Sequence, residues 1–314
     1  MPIAKFNKLD GKGKGYVALF ITSFFWGTTW VASKIAVEEI PPLQLSCMRQ
    51  LFAGTIFVGY FLLYKKLPFP TLKQWKWLFF MSALMFFCAN FISTQSLKYI
   101  PTGLAALIGA LYPLSVVLIE WIFFKNKNIT ALTFVGLFLG ISGIVFVFYH
   151  HMYHKIDAAF LWGVFLSVIA MLAWSLATIF LARNKMNINP YFGTGWQMLI
   201  SAFVLFFVGK FTHQLIPVEK ISLTAWLMMA YLVTFGSVIC FIAFIFSAKI
   251  LPPTISSLYA YINPLVAIVT ASIILGEKLT WSLAWGSIVT LLGVYIVNLS
   301  IKKDQQNIIG GVEQ

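Results

Sequence analysis

Arg49 is the residue with the clearest chemical use. It lies about two turns into a long apolar run, and a guanidinium offers a planar fork that grips a carboxylate through two parallel N–H bonds. Lys34 and Glu277 fall near the ends of two other apolar runs, and Glu120 is the only acid well inside one. A charge at bilayer depth costs about 2.5–3.5 kcal/mol on insertion scales, so each of these residues needs a reason. Two arrangements are open for the first three. Lys34, Arg49 and Glu277 form an ion-pair cluster that opens and closes with a gate, or Arg49 binds the carboxylate of a small molecule. Lys34 can also simply snorkel to the interface. Glu120 is a protonatable coupling site, a counter-charge to a substrate amine, or an interface residue paired with Lys125 or Lys127.

Uncharged residues supply a second set of candidates. Pro113 and Pro264 each delete a backbone donor inside an apolar run, which frees a carbonyl and bends the helix. Their neighbours Tyr112, Tyr259, Tyr261 and Asn263 become cavity candidates. Asn90, Gln95 and Gln197 join them, because a buried amide needs partners, supplied by another helix or by a bound molecule. Trp26 and Trp30 lie four apart and share one helix face, and with Trp174 they could form an aromatic wall for an amphipathic or aromatic ligand. His150, His151 and His154 cluster near Asp157, without further acids or cysteines at ligand spacing, so no metal site and no cofactor are expected.

The positions of these residues are set by apolar segments. The chain has 314 residues, 60% hydrophobic and only 10% charged, against roughly 25% charged in a soluble domain. Lipid must be its solvent. Backbone groups in lipid are satisfied within the segment, and the continuous, non-alternating apolar runs select helices over a barrel. The net charge of +13 does not mark a nucleic-acid binder, because the basic residues sit in short loops between apolar runs. Cys47, Cys88 and Cys240 fall inside such runs and read as small buried hydrophobes.

Spans of roughly 20 apolar residues place ten helices at about Tyr16–Val37, Leu43–Tyr64, Trp75–Gln95, Thr102–Phe124, Ala131–Phe148, Ala159–Ala182, Tyr191–Gly209, Leu223–Ser247, Thr254–Leu275 and Trp281–Ile301. With the N-terminus in the cytoplasm, fifteen Lys and Arg fall in inside segments and five in outside ones. The positive-inside rule therefore predicts a multi-pass protein of the cytoplasmic membrane with both termini cytoplasmic. The division expected is a leader at 1–15, a five-helix unit at 16–149, an outer loop at 150–158, a second unit at 159–301 and a tail at 302–314.

The two units are related. At an offset of 151 residues Trp75, Ser96, Lys98, Pro101 and Pro113 meet Trp226, Ser247, Lys249, Pro252 and Pro264. At 148, Trp26 meets Trp174 and Pro42 meets Pro190, and at 150, Gly136 and Gly143 meet Gly286 and Gly293. Five helices per copy force the copies to insert in opposite senses, an architecture that lets one fold open to either side of a midplane site. Symmetry fails where Arg49 faces Gln197, Glu277 faces Asn126 and Glu120 faces Ala271.

Ten helices in two inverted copies, Trp26-Gly27 in the first helix, the stretch from Leu275 to Thr280 (LGEKLT) and Gly286 and Gly293 in the last helix resemble the drug/metabolite transporter superfamily, EamA type. The first copy departs from that pattern, with Lys125-Asn126-Lys127 where the second has Gly276-Glu277-Lys278. The resemblance implies a secondary transporter with a central cavity, exporting an amino acid or related metabolite by alternating access. Its partners would be the small solute, membrane lipid and a coupling ion such as a proton, in a monomer or homodimer. A membrane enzyme, channel or receptor is the alternative, and the sequence offers no catalytic motif for the first of these.

Overall fold

The computed structural model describes residues 11–124, 130–152, 157–183, 186–256 and 258–310. Ten helical segments follow one another: α1 Gly11–Glu39, α2 Pro42–Tyr64, α3 Leu72–Ser96, α4 Thr102–Phe124, α5 Ala131–Met152, α6 Ala158–Arg183, α7 Pro190–Phe211, α8 Leu223–Ile250, α9 Tyr259–Leu275 and α10 Trp281–Gly310. Eight are long and apolar enough to cross a membrane, and two shorter apolar stretches, Ala131–Val147 and Tyr259–Leu275, occupy the fifth and ninth places. No strand occurs among the described residues. This is the all-α architecture expected of the sequence. Three ends differ from the expectation by five residues or more: α9 begins at Tyr259 rather than Thr254, after a separate short helix at Pro253–Ser256, and the other two are at the ends of the chain. α1 begins in the basic leader at Gly11, and α10 runs on to Gly310, because no proline breaks the polar stretch after Ile301.

The local signals repeat with the helices. Thr71 caps α3 in a reciprocal capping box with Gln74, and Ser222, at the same offset of 151, caps α8 through the Ala225 N–H. Both helices then widen into a π-helical stretch, Ala83–Phe91 in α3 and Leu232–Ile239 in α8. A carbonyl in each stretch is claimed from another helix: Gln50 Nε2 donates to Phe86 O at 3.1 Å, and Trp26 Nε1 to Gly236 O at 3.0 Å. π-bulges of this kind recur at functional sites.

The halves exchange partners. α1 packs on α8 and α9 of the second half, and its counterpart α6 packs on α3 and α4 of the first. α2 packs on α7, and α5 on α10, each against its own repeat mate. Small residues permit the closest approaches, as expected where lipid supplies no hydrophobic drive between helices. A Cβ on Gly143 would lie 2.6 Å from the Gly286 carbonyl, and one on Gly136 2.7 Å from the Gly293 carbonyl. We expect Gly143→Leu to force α5 from α10, at about 1–3 kcal/mol for overpacking, and to lower the thermal midpoint of the purified protein. Gly59→Ala is the control, since a Cβ there meets nothing within 4 Å and should leave the midpoint unchanged or higher.

Candidate functional site

A cavity of about 190 Å³ lies between the halves. Its walls come from α1, α3, α4, α6 and α9, with α2 contributing Arg49 and α8 contributing Phe241. A water-sized probe needs about 10–15 Å³, so the space suits a solute of roughly a dozen non-hydrogen atoms. Nine of the candidates from the sequence meet there: Trp26, Trp30, Arg49, Asn90, Tyr112, Trp174, Tyr259, Asn263 and Pro264.

Toward the face that carries the chain's first described residues, the cavity floor is aromatic. Trp26 stands edge-on to Trp174, Phe241 and Tyr259, at ring-centre distances of 6.2, 5.4 and 5.5 Å. Tyr112 stacks on Tyr259 at 5.9 Å. Trp26 and Trp174 are repeat mates, as are Tyr112 and Asn263, so the floor straddles the pseudo-twofold relation between the halves.

Arg49 is 8% exposed, and its Nε donates to Ser237 Oγ at 2.8 Å. A Cβ on residue 236 would sit 2.9 Å from Nη2, so glycine at 236 clears space for the guanidinium, and Ser237 turns it. No carboxylate pairs with Arg49 among the described residues, and it is the one charged side chain in the cavity wall. The amides are fixed by unambiguous donors. Trp30 Nε1 can only donate, and it donates to Asn263 Oδ1 at 3.0 Å. Gln50 Nε2 donates to Phe86 O and, at 3.3 Å, to Asn90 Oδ1. Gly236, Ser237, Gln50 and Phe241 were not singled out from sequence. The small polar pair Gly236-Ser237 in an apolar run was the available signal.

The two prolines act unequally. α4 is interrupted at Ala110-Leu111, immediately before Tyr112 and Pro113, whereas Pro264 lies inside the continuous α9. Pro113 itself is buried off the cavity wall. The residues four before each proline, Gly109 and Ala260, both line the cavity, and neither carbonyl has a proline N–H to accept from.

Other candidates lie elsewhere. Gln95 is in the last turn of α3 with Tyr99 Oη at 3.5 Å, and Gln197 is buried on α7, where its backbone carbonyl accepts from Ser82 Oγ at 2.7 Å. Neither lines the cavity, and the Gln197 side-chain oxygen is buried with no hydrogen-bond partner among the described residues. Tyr261 also leaves it, its hydroxyl joining Val294 O and Asn298 of α10. Lys34, Arg49 and Glu277 form no common cluster. Lys34 Nζ donates to Leu97 O at 2.6 Å, at the C-terminal end of α3 where a cation is favoured. Glu277 accepts from the backbone N–H groups of Thr102 at 2.7 Å and Gly103 at 3.1 Å, capping α4. Gly276, at φ +68°, makes the left-handed turn that ends α9 and delivers that carboxylate.

Glu120 pairs with Arg183 at 3.1 Å, linking the ends of α4 and α6, with the two side chains 30% and 44% exposed. An ion pair so exposed contributes at most about 1 kcal/mol. Lys125 and Lys127, its partners expected from sequence, lie outside the described residues, as do His154 and the side chains of His150 and His151. Among the described residues no cluster of His, Cys, Asp or Glu is placed to hold a metal ion.

The whole chain resembles known transporters. It is 28% identical over 277 residues to the inner membrane transporter YedA of Escherichia coli strain K12, covering 87% of each chain. It is 24% identical over 285 residues to the transporter YoaV of Bacillus subtilis, covering 90% of this chain and 96% of that one. A crystal structure with 17% identity superposes with a TM-score of 0.64 over 91% of this chain and 96% of its own, which shows the fold alone. The profile of the EamA-like transporter family matches residues 13–149 and 161–299, one match for each five-helix half. The chain therefore belongs to the EamA-like transporter family and is a multi-pass membrane transporter.

Proposed function

We propose that this protein is a secondary transporter that moves an amino acid or a related small carboxylate across the cytoplasmic membrane by alternating access, with export as its direction and both termini in the cytoplasm. One observation carries the reading. Arg49 stands in the wall of a cavity between two inverted halves, with one neutral partner, Ser237, and no acid in the wall. A buried cation without a counter-ion costs several kcal/mol, and a site retains such a group where a ligand completes it. The aromatic floor and the Lys34 and Glu277 contacts lie on opposite sides of Arg49. They are the two closures that rocking of the halves would open in turn.

Counterflow in proteoliposomes is the test, with a labelled solute chosen by a thermal-shift screen of the purified protein against a metabolite library. Unlabelled solute inside should accelerate entry of label and produce a transient overshoot. Entry that saturates with no acceleration, or that rises linearly with concentration, identifies a channel and removes the carrier reading.

A further inference from the structure

We infer that the preferred solute is a monoanionic carboxylate with an apolar body and no charged amine, such as a deaminated or N-acylated aromatic acid, rather than a zwitterionic amino acid. This rests on the reading of Arg49 as the carboxylate site and narrows it.

The argument is charge balance. The empty cavity carries one positive charge, from Arg49, and among its lining residues there is no acid to offset a second. A monoanion makes the loaded cavity neutral. A zwitterion brings a carboxylate and an ammonium together, so the net charge stays positive, and the ammonium must be desolvated without a counter-charge. The side-chain polarity points the same way. Arg49 spends only Nε on Ser237, which leaves the Nη fork for the solute. Asn90 and Asn263 each accept one hydrogen bond at the carbonyl oxygen, from Gln50 and Trp30, so the group each leaves wholly unused is the NH₂ donor. Arg49, Asn90 and Asn263 therefore all offer N–H groups to the cavity, which is complementary to an anion and repels an ammonium.

Three features could still receive an amine. The wall hydroxyls of Thr29, Ser33, Ser93, Thr94 and Ser167 are acceptors, but neutral ones, so they leave the charge balance as it is. The Gly109 and Ala260 carbonyls, released by Pro113 and Pro264, are acceptors. They are neutral, so they serve an acyl-amide N–H as well as an ammonium and leave the charge balance as it is. The aromatic floor could in principle hold a cation over a ring face. Here the Trp26 ring is surrounded by Trp174, Phe241, Phe244 and Tyr259, and Tyr112 and Tyr259 cover one another. The floor is built as packed rings that accept an apolar body against their edges, not as an open cage.

The test is a ligand series on the purified full-length protein, read as the rise in thermal midpoint against concentration. The probes are 3-phenylpropanoate, N-acetyl-L-phenylalanine, L-phenylalanine and 2-phenylethylamine, which share one apolar body and differ in charge. The two monoanions should half-saturate the shift at concentrations at least tenfold below L-phenylalanine, and 2-phenylethylamine should give none. L-phenylalanine binding as tightly as the monoanions, or tighter, overturns the charge-balance inference and leaves Arg49 as a carboxylate site intact. No shift from any carboxylate, or a shift from the amine alone, removes the Arg49 reading and the inference with it. The ranking is read on the native chain, so it does not depend on how any variant folds.

Discussion

Arg49→Gln is expected to abolish solute transport while leaving the unliganded protein as thermally stable as the native chain, or more so. The two effects have opposite signs for one reason. Without solute, the guanidinium is buried with a single neutral hydrogen bond to Ser237, and a charge so placed works against the fold. Removing it relieves that cost, as happens when a functional residue is traded for stability. With solute, the same guanidinium supplies the counter-charge, and truncating one partner of a buried, hydrogen-bonded charge pair costs about 2–5 kcal/mol, or on the order of 30- to 4,000-fold in affinity. Arg49→Lys keeps the charge but loses both the planar fork and the Nε bond that orients it, so it should recover only part of the loss. Uptake kinetics in proteoliposomes and thermal midpoints of the three proteins check both arms. A structural role predicts the reverse pattern, a falling midpoint. Normal transport in both variants removes Arg49 from the site.

The sequence reached the cavity through two kinds of residue. The aromatic pair Trp26 and Trp174, and Tyr112 with Asn263, are legible because the internal repeat pairs them, and an inverted fold brings repeat mates together where both lie near its midplane. Arg49 was legible because a charge inside an apolar run has few explanations. What the sequence could not carry is the direction a side chain takes around its helix when every face is apolar. Gln95 and Gln197 are as polar as Asn90, yet neither lines the cavity, and Gln50, next to Arg49, is the residue that positions Asn90. The π-helical stretches were also invisible. They add a residue to a turn with no signature common to both, since the α3 stretch has neither proline nor glycine, and the one in α8 places Gly236 and Ser237 against Trp26 and Arg49. Lys34 and Glu277 were seen as charges, and charges suggest ion pairs. The structure uses each on a helix end instead, where unsatisfied backbone groups make equally good partners.

Glu277→Ala should open the face of the protein that this residue closes. Its two carboxylate oxygens take the Thr102 and Gly103 N–H groups, and these belong to the first turn of α4, the helix that lines the cavity with Ala105, Ala106 and Gly109. The bond therefore ties the end of α9 to the start of α4, across the two halves. If the halves rock, this tie must break when that face opens. Each hydrogen bond to a charged group contributes about 1.5–3 kcal/mol, so losing even one of the two should shift the equilibrium toward the open state by roughly 10- to 150-fold, and losing both by more. Glu277→Gln keeps one acceptor oxygen and loses the charge that favours a helix N-terminus, so it should fall between the native chain and alanine. The readout is a cysteine at Ser93, in the cavity wall, in a chain whose Cys47, Cys88 and Cys240 are replaced. A membrane-impermeant thiol reagent applied from the Glu277 face should label it faster in the order native, glutamine, alanine. A tie that merely holds the fold together would lower the thermal midpoint and leave the labelling order flat, and that outcome would take Glu277 out of the gate. Because Asn126 replaces the acid at the equivalent place in the first half, no matching acceleration is expected from the other face.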